Sequence, residues 1–351
     1  MASSQTPRII DASLNRIGEG LRLLEDISRL ILNDVDLTQR LKNLRHELVR
    51  GSLPLHRQLL QARDSTGDIG MDLEVSGEEK ERELPALVIA NSRRVQESLR
   101  TLEELTKVPG IAPELDSEKF KQARFNIYTL EQKLLSRLLR QDKKQYISGL
   151  YVILDTQALR GRRHSEVARQ VISGGARIIQ LRDKITMKKK LLPLAQELKE
   201  ICAEFDVLFI INDYLDIALA TGADGLHIGQ EDLPVAVARK LLPVDKILGC
   251  SVTTVAQAIK AQAEGADYIG VGAMFPTPSK EKIKVVGLKR LREVKKAVSI
   301  PVVAIGGITL DNAAEVMSAD ADSIAVISAV LGANDPEKAT RKIIEQLEAK
   351  K

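Results

Sequence analysis

The spacing of apolar residues changes along the chain, and the change predicts two regions of different architecture. Over residues 11–140, apolar side chains recur three and four positions apart, as in Leu21, Leu24 and Ile27, which is the pattern of amphipathic helices. From residue 149 onward, short β-branched runs alternate with segments of helix length. The first region is therefore predicted to be helical, and the second to contain both strands and helices.

A short polar segment separates the two patterns. Residues 141–145, Gln-Asp-Lys-Lys-Gln, lie between them and predict a linker. The chain has 351 residues, more than an ordinary single domain, so two domains are expected. We predict an all-α domain over residues 1–145 and an α/β domain over residues 146–351.

Eight β–α units are predicted in the second domain. The candidate strands are Leu150–Leu154, Arg177–Leu181, Val207–Ile211, Gly225–Ile228, Ile247–Cys250, Tyr268–Gly272, Val302–Ile305 and Ser323–Ile327. Eight such units in roughly 200 residues predict a (β/α)8 TIM barrel, whose active site lies where the strands end. A doubly wound open sheet is the competing fold, but no Gly-x-Gly-x-x-Gly follows the first strand.

The helical region contains an internal duplication. The segment Ala12–Glu25 recurs 78 residues later as Ala90–Glu103, which predicts two similar helical units packed together. The repeated charges are Arg16/Arg94, Glu19/Glu97, Arg22/Arg100 and Glu25/Glu103, with a looser echo of Lys42 and Arg45 in Lys121 and Arg124. We interpret them as solvated ion pairs in preference to a buried charged seam. The segment 63–70 between the copies is interpreted as a turn in preference to an anion- or metal-binding loop.

Composition narrows the range of partners. The net charge of +4 is small beside 52 Lys and Arg and 48 Asp and Glu, and Trp is absent, so a nucleic-acid site is not expected. Cys202 and Cys250 are predicted to be buried free thiols. No apolar run has membrane-spanning length, and no signal peptide is evident. We expect a cytoplasmic protein without nucleic-acid or membrane partners, and leave open whether it forms a homo-oligomer.

Acidic, basic, amide and hydroxyl groups follow the predicted strands of the barrel. They are Gln180, Arg182 and Lys184 after strand 2, Asn212 and Asp213 after strand 3, Asp232 after strand 4, Ser251 after strand 5, Thr277, Ser279 and Lys280 after strand 6, Gly306 and Gly307 after strand 7, and Ile327 and Ser328 after strand 8. Because parallel strands end at one rim of a barrel, these groups are expected to converge there.

Each group suits a phosphate-handling pocket. Asp213 and Asp232, from adjacent strands, are the kind of oxygen ligands that Mg²⁺ accepts. Arg182, Lys184 and Lys280 are suited to neutralising a diphosphate. The glycines after strand 7, together with the end of strand 8, predict a second anion site, and two such sites imply two phosphorylated substrates. No Ser-His or Cys-His pairing is expected in the pocket, so a side-chain nucleophile is not predicted.

Structural alternatives exist for several of these residues. Asp213 and Asp232 are also suited to capping the helices that follow them, and Ser251 could likewise be a helix cap. We favour the metal site for the two carboxylates, because both lie beside three cations, and leave Ser251 open. His227 lies within a predicted strand and is interpreted as a hydrogen-bonded structural residue, not a base.

The second domain resembles the thiamine-phosphate synthase family from about residue 151 to 346. The resemblance rests on motifs at the strand ends: Gln180–Lys184, Asn212-Asp213, His227–Asp232, Gly249–Ser251, Pro276–Lys280, Gly306–Ile308 and Ile327-Ser328. It implies that 4-amino-2-methyl-5-(diphosphooxymethyl)pyrimidine is joined to 4-methyl-5-(2-phosphoethyl)thiazole, giving thiamine monophosphate and diphosphate. Ser279 stands where the family often has Thr and keeps the hydroxyl.

The same resemblance implies a role for each site residue. Gln180, Arg182, Lys184, Asn212, Ser251 and Lys280 would contact the pyrimidine diphosphate, and Arg182, Lys184, Ser251 and Lys280 among them would be catalytic. Asp213 and Asp232 would bind Mg²⁺. The thiazole phosphate would be held by Thr277, Ser279, Gly307, Ile327 and Ser328. A thiazole-phosphate isomerase with the same barrel is the alternative, but it would not need Asp213, Asp232 and Lys280 together.

The helical region resembles an extension found in front of some members of this family. The matching motifs are Leu14–Arg16, Glu19–Asp26, Leu44–Glu47 and Arg63-Asp64. The resemblance implies a hydroxymethylpyrimidine-phosphate kinase, although the sequence contains no P-loop. An oligomerisation module without chemistry is the alternative.

Overall fold

The computed structural model describes residues 6–49, 53–64, 83–108, 115–277 and 285–348. The chain divides into two compact units, Met1–Leu139 and Arg140–Lys351. The predicted boundary after residue 145 stays a prediction, and it falls six residues later than this division. Within the described ranges, no helix is long and apolar enough to cross a membrane.

The first unit is built from helices, as the apolar spacing predicts. They are α1 (Thr6–Asp26), which continues into a π-helical turn (Ile27–Ile31), α2 (Val35–Val49), α3 (Leu53–Ala62), α4 (Leu84–Leu105) and α5 (Ser117–Gln145), whose last residues belong to the second unit. The core contains the predicted stripe Leu21, Leu24 and Ile27 together with Val95 and Leu99 of the second copy. The helices α1 and α4, which carry the duplicated sequence, pack against each other.

The repeated charges fall into two groups, which corrects the interpretation of all of them as solvated pairs. Arg16, Glu19, Arg94 and Glu97 are exposed, as that interpretation requires. In contrast, the carboxylates of Glu25 and Glu103 are buried. They lie on the faces of α1 and α4 that pack inward, because both are four residues beyond a core leucine, Leu21 or Leu99.

Each buried glutamate contacts two arginines in the same arrangement. Arg45 of α2 donates to Glu25 at 2.9 Å, and Arg22 lies 3.7 Å from the same carboxylate. In the second copy, Arg124 of α5 donates to Glu103 at 3.1 Å and Arg100 at 2.6 Å. The looser echo of Arg45 in Arg124 is therefore part of the duplication. Between the copies, Arg63 donates two hydrogen bonds to Asp11 at 2.7 and 2.8 Å, and residues 65–70 lie outside the described ranges.

The second unit is a closed barrel of eight parallel strands, so the (β/α)8 prediction is confirmed and the open sheet is wrong. The strands are β1 (Gly149–Asp155), β2 (Ile178–Arg182), β3 (Leu208–Asn212), β4 (Gly225–Ile228), β5 (Ile247–Val252), β6 (Tyr268–Gly272), β7 (Val302–Ile305) and β8 (Ser323–Val326). The helices are α6 (His164–Ser173), α7 (Lys188–Glu204), α8 (Leu215–Thr221), α9 (Val235–Leu241), α10 (Val255–Ala263), α11 (Gly287–Ala297), α12 (Leu310–Met317), α13 (Ser328–Leu331) and α14 (Pro336–Glu348).

Successive strand residues serve two different cores. One set packs between the strands and the surrounding helices and includes Val152, Phe209 and Leu248. The alternate set fills the barrel interior and includes Tyr151 and Tyr268. This alternation decides which residues near the strand ends point inward.

The polar stretch 141–145 is helical, so the predicted linker is wrong. It forms the last turns of α5, where lysines near the helix C-terminus are electrostatically favourable. Just before it, Arg140 is buried and donates to the Asp267 carboxylate at 2.9 Å, and Lys143 donates to the backbone oxygen of Asp245 at 2.8 Å. These contacts hold the helix end against the barrel residues, and a polar composition alone does not reveal them.

Candidate active site

The predicted site residues of β2 to β5 lie at the carboxyl ends of their strands. Alternation along β2 and β3 places Gln180 and Asn212 on the same inward row as the interior residues Ile178 and Ile210. Gln180 pairs in register with Ile210, and Asn212 pairs with His227 of β4. The strand register therefore brings these side chains to one rim of the barrel.

Asp213 and Asp232 lie together at this rim. Asp213 forms an ion pair with Lys184. The Asp232 carboxylate is within hydrogen-bonding distance of the Asp213 carboxylate. Burial and the neighbouring Asp232 raise the pKa of Asp213 above its ordinary value of 3.8, and Lys184 opposes that change. Asp232 also accepts a hydrogen bond from the backbone N–H of Gly229 at 2.7 Å. Two carboxylates with one lysine leave local negative charge that a cation would offset.

The backbone at Asp213 supports this arrangement. Its φ is +61°, in the left-handed region that Asp and Asn adopt more readily than most residues. Its N–H donates to the backbone oxygen of His227 at 2.8 Å, which fastens the end of β3 to β4. The alternative roles as helix caps are not what the structure shows: the N-caps of α8, α9 and α10 are Tyr214, Pro234 and Thr254.

The donor set at this rim suits a hard cation. Mg²⁺ commonly takes one or two carboxylates and completes its shell with water and phosphate oxygens. Across the described residues, no group of three or more His, Cys, Asp or Glu side chains could hold a metal ion. A cage made only of protein ligands is therefore not found there, whereas Asp213 and Asp232 match the smaller set that a phosphate-bridging Mg²⁺ requires.

Two aspartates that sequence reasoning did not single out order the neighbouring loops. Asp155, at the end of β1, forms an ion pair with Arg182 and accepts from the backbone N–H groups of Gln157 and Ala158 at 3.0 and 3.1 Å. Asp183 accepts from the backbone N–H groups of Ile185 and Thr186 at 2.9 and 2.7 Å. The signal was available, because Asp155 ends an apolar strand just as the chosen residues do.

Ser251 and His227 form a pairing that the sequence interpretation did not expect. Ser251 Oγ lies 2.9 Å from His227 Nε2, and His227 Nδ1 lies 3.0 Å from the Tyr268 hydroxyl. The statement that the pocket lacks a Ser-His pair is therefore wrong. The strand register explains this contact. His227 pairs with Gly249 of β5, and Ser251 is the next inward-facing residue along that strand. His227 lies in β4, and its ring is hydrogen-bonded to side chains of β5 and β6, in line with the prediction of a hydrogen-bonded residue within a strand.

The loops after β6 and β7 approach each other closely. Gly306 and Gly307 have φ values of +98° and +69°, and a Cβ at Gly307 would lie 2.7 Å from the backbone oxygen of Pro276. Only glycine fits such a position without displacing the neighbouring chain. Thr277, which follows Pro276 in the β6 loop, is half-buried. Ser279 and Lys280 lie outside the described residues. Ile327 and Ser328 lie at the start of the short helix α13.

The closed barrel and the charged and polar side chains at the carboxyl ends of its strands together define a (β/α)8-barrel enzyme. Comparison with known sequences identifies its family. The sequence model of a family described as thiamine monophosphate synthase matches residues 150–330, and that of the ThiD2 family matches residues 8–133. A thiamine-phosphate synthase from Synechocystis sp. is 39% identical over 341 residues, which cover 97% of this chain and 96% of the relative. One from Synechococcus sp. is 36% identical over 349 residues, covering 99% and 97%.

A solved structure gives the same result for the barrel. The thiamine phosphate pyrophosphorylase from Pyrococcus furiosus is 41% identical, with a TM-score of 0.54, and the match covers 59% of this chain and 98% of that one. The chain belongs to the thiamine-phosphate synthase family and is a transferase of thiamine biosynthesis, which confirms the resemblance found in the sequence. The roles of individual site residues stay predictions.

Proposed function

We propose that the barrel joins 4-amino-2-methyl-5-(diphosphooxymethyl)pyrimidine to 4-methyl-5-(2-phosphoethyl)thiazole, releasing diphosphate and giving thiamine monophosphate, with Mg²⁺ bound by Asp213 and Asp232. The observation that carries the proposal is the pair of facing carboxylates beside Lys184. Membership of the family supports the reaction. A bound Mg²⁺ would supply positive charge that offsets the charge of the departing diphosphate.

The side chains at the rim divide the remaining work. Lys184 and Arg182 bind diphosphate oxygens, and Arg182 is held in place by Asp155. Lys280, predicted from the sequence, adds a further positive charge. Gln180 and Ser251 bind the pyrimidine, and Asn212 contacts the diphosphate. The carbon–oxygen bond to the diphosphate breaks first, and the aminopyrimidine stabilises the methylene cation left behind. The thiazole nitrogen then forms a bond to that carbon, so the protein positions two substrates and neutralises charge.

The thiazole phosphate is assigned to the loops after β6, β7 and β8. Gly307 lets backbone N–H groups approach an anion closely, and its contact with Pro276 holds the β6 loop beside the β7 loop. Thr277 and Ser279 contribute hydroxyls, and Ile327 and Ser328 contribute the start of α13. This is the region where barrel enzymes commonly bind phosphate. The isomerase alternative is less well supported, because it gives no role to the facing carboxylates.

The test is an assay of the full chain with both precursors, with and without Mg²⁺. We expect thiamine monophosphate and diphosphate in equal amounts, and loss of product when the metal is chelated. Conversion of a thiazole phosphate without consumption of the pyrimidine would contradict the proposal and support the isomerase. Lys280→Ala is expected to lose turnover while the fold is kept. Normal diphosphate release by this variant would exclude Lys280 from the site.

We also propose that the helical unit phosphorylates hydroxymethylpyrimidine phosphate, supported by its match to the ThiD2 family over residues 8–133. The full chain incubated with that phosphate and ATP should then form the diphosphate. Absence of the product, together with self-association in sedimentation, would instead support the oligomerisation module.

A further inference from the structure

A continuous line of hydrogen-bonded side chains crosses the barrel interior from β2 to β5. Its members, in order, are Gln180, Tyr151, Tyr268, His227 and Ser251. Gln180 Nε2 lies 2.7 Å from the Tyr151 hydroxyl, which lies 3.0 Å from the Tyr268 hydroxyl. The line continues to His227 Nδ1 at 3.0 Å and from Nε2 to Ser251 Oγ at 2.9 Å. Both of its ends are proposed pyrimidine-binding residues, and its three middle members have no role in the reaction derived above.

The middle members are enclosed in the barrel core. Tyr151 is 2% exposed and Tyr268 is fully buried. Burial raises the pKa of both hydroxyls well above the ordinary value of 10, so each keeps its proton and donates one hydrogen bond. A buried polar group without a partner would cost stability, so each hydroxyl must be satisfied by the next member of the line.

The neighbouring strands provide space for this line. A Cβ at Gly249 of β5 would lie 2.1 Å from Tyr268 Cζ and 2.5 Å from His227 Nδ1. A Cβ at Gly270 of β6 would lie 3.2 Å from His227 Cε1. The tyrosine and the histidine therefore occupy room that exists only because both strands carry glycine at these inward positions.

The donor at one end fixes the direction of every hydrogen bond in the line. The Gln180 amide donates to Tyr151, which leaves the Tyr151 proton for Tyr268. Tyr268 then donates to His227 Nδ1, so a neutral imidazole carries its proton on Nε2 and donates to Ser251 Oγ. Ser251 is left with its own proton to donate elsewhere. This direction is opposite to that of a Ser-His nucleophile, where the imidazole accepts the serine proton.

We propose that Tyr151, Tyr268 and His227 are positioning residues, which set Gln180 as a hydrogen-bond acceptor and Ser251 as a hydrogen-bond donor toward the aminopyrimidine. The inference rests on the proposed function, since it assumes that these two residues face that substrate. Gln180 uses its amide N–H inside the barrel, and no partner of its side-chain oxygen is found among the described residues. An acceptor and a donor match the amino group and a ring nitrogen of a 4-aminopyrimidine.

The first experiment measures the histidine tautomer in the substrate-free full chain. Imidazole ¹⁵N spectra distinguish a proton on Nε2 from one on Nδ1, and His227→Asn identifies the His227 signals among the four histidines. We expect the Nε2–H tautomer in the wild type and loss of that preference in Tyr268→Phe, because Nδ1 loses its donor. An Nδ1–H tautomer in the wild type, or an unchanged tautomer in Tyr268→Phe, would overturn the proposal. If Tyr268→Phe does not fold, Tyr151→Phe removes the previous link and is expected to weaken the same preference.

The second experiment measures the consequence for substrate binding. Tyr151→Phe and Tyr268→Phe are each expected to raise the KM for the pyrimidine diphosphate about tenfold, as expected for one misdirected hydrogen bond. The KM for the thiazole phosphate should stay unchanged. Tyr146→Phe is the matched control, because the Tyr146 hydroxyl donates to Asp206 at 2.7 Å and has no part in the line.

The two proposals fail in different ways. Wild-type KM values in both tyrosine variants would overturn the positioning role while leaving the synthase reaction intact. A wild-type chain that forms no thiamine monophosphate would contradict the proposed function, whereas the tautomer measurement would still decide the direction of the hydrogen bonds.

Discussion

Buried carboxylates occur in both units of the chain, but their surroundings differ. In the helical unit, Glu25 and Glu103 each contact two arginines, so the protein itself supplies the opposite charge. In the barrel, Asp213 faces Asp232 and has only Lys184 as a cationic partner among the described residues. A carboxylate neutralised by its own chain contributes to the fold. In contrast, two carboxylates that face each other retain excess negative charge, which a bound cation can neutralise.

Backbone geometry follows the same division. Glu25 and Glu103 lie within regular helices, where the backbone adopts its ordinary conformation. Asp213 has a φ of +61°, a conformation that costs roughly 1–3 kcal/mol in a residue other than glycine. The barrel therefore holds an unfavourable backbone angle beside an unfavourable charge pair. Such a combination is expected where function, and not stability, determines the residue.

The largest expected effect comes from removing one of the facing carboxylates. Asp213→Asn should lower turnover about a thousandfold, because charge stabilisation at the departing diphosphate is lost. Without metal, the Asp213→Asn variant should keep the wild-type fold, because the substitution also removes the repulsion between two like charges. Turnover with saturating Mg²⁺, compared with the circular dichroism spectrum, checks both expectations. Turnover within a factor of two of the wild type would show that Asp213 does not serve the reaction.

The same chemical change in the helical unit should affect stability instead. Glu103→Gln leaves Arg100 and Arg124 without their carboxylate and should lower the free energy of unfolding by about 3 kcal/mol. Glu97→Gln on the same helix is the control, because Glu97 is exposed. Calorimetry of the full chain measures both. Equal melting temperatures for the two variants would mean that the buried pair contributes nothing to the fold.

The sequence predicted the strands well because their apolar runs are short and bounded by turns. Gly225–Ile228, Tyr268–Gly272 and Val302–Ile305 agree with the observed bounds, and Asp213 and Asp232 are brought together simply because β3 and β4 are adjacent. Closing the barrel then places the ends of all strands at one rim, so the positions of many site residues follow from the fold class alone.

Features that depend on register or on packing partners were not predicted. The contact between His227 and Ser251 requires that His227 pair with Gly249, and local sequence does not fix that register. The burial of Glu25 depends on Arg45, twenty residues away on another helix. The helical conformation of residues 141–145 depends on contacts with the barrel, whereas their polar composition suggested a linker. In each case the deciding partner is distant in sequence.

A steric comparison within α1 tests the packing of the duplicated helices. A Cβ at Gly20 would lie 2.6 Å from Val95 Cγ2 of α4, whereas one at Gly18 would make an ordinary 3.4 Å contact with Val49. Gly20→Ala should therefore lower the free energy of unfolding by about 2 kcal/mol. Gly18→Ala should raise it by about 0.5–1 kcal/mol, through the higher helix propensity of alanine. Chemical denaturation of both variants measures the difference. Stabilisation by Gly20→Ala would contradict the close approach of α1 and α4.

A smaller effect than that of Gly20→Ala is expected for the pH dependence of stabilisation by Mg²⁺. Because the pKa of Asp213 is raised in the folded state, its contribution to stability is present below the ordinary value of 3.8 and is lost as the pH rises through the raised pKa. Bound Mg²⁺ should offset that loss, by about 1.4 kcal/mol at a tenfold excess over its Kd. Protons compete with the metal, so the increase in melting temperature caused by Mg²⁺ should grow as the pH rises from the ordinary value of 3.8 through the raised pKa of Asp213. An equal increase in Asp213→Asn at every pH would place the metal elsewhere. An increase that occurs only in the wild type would instead show that the unbalanced charge of Asp213 and Asp232 binds a cation. The glutamates of the helical unit have no such unbalanced charge, because arginines already neutralise them.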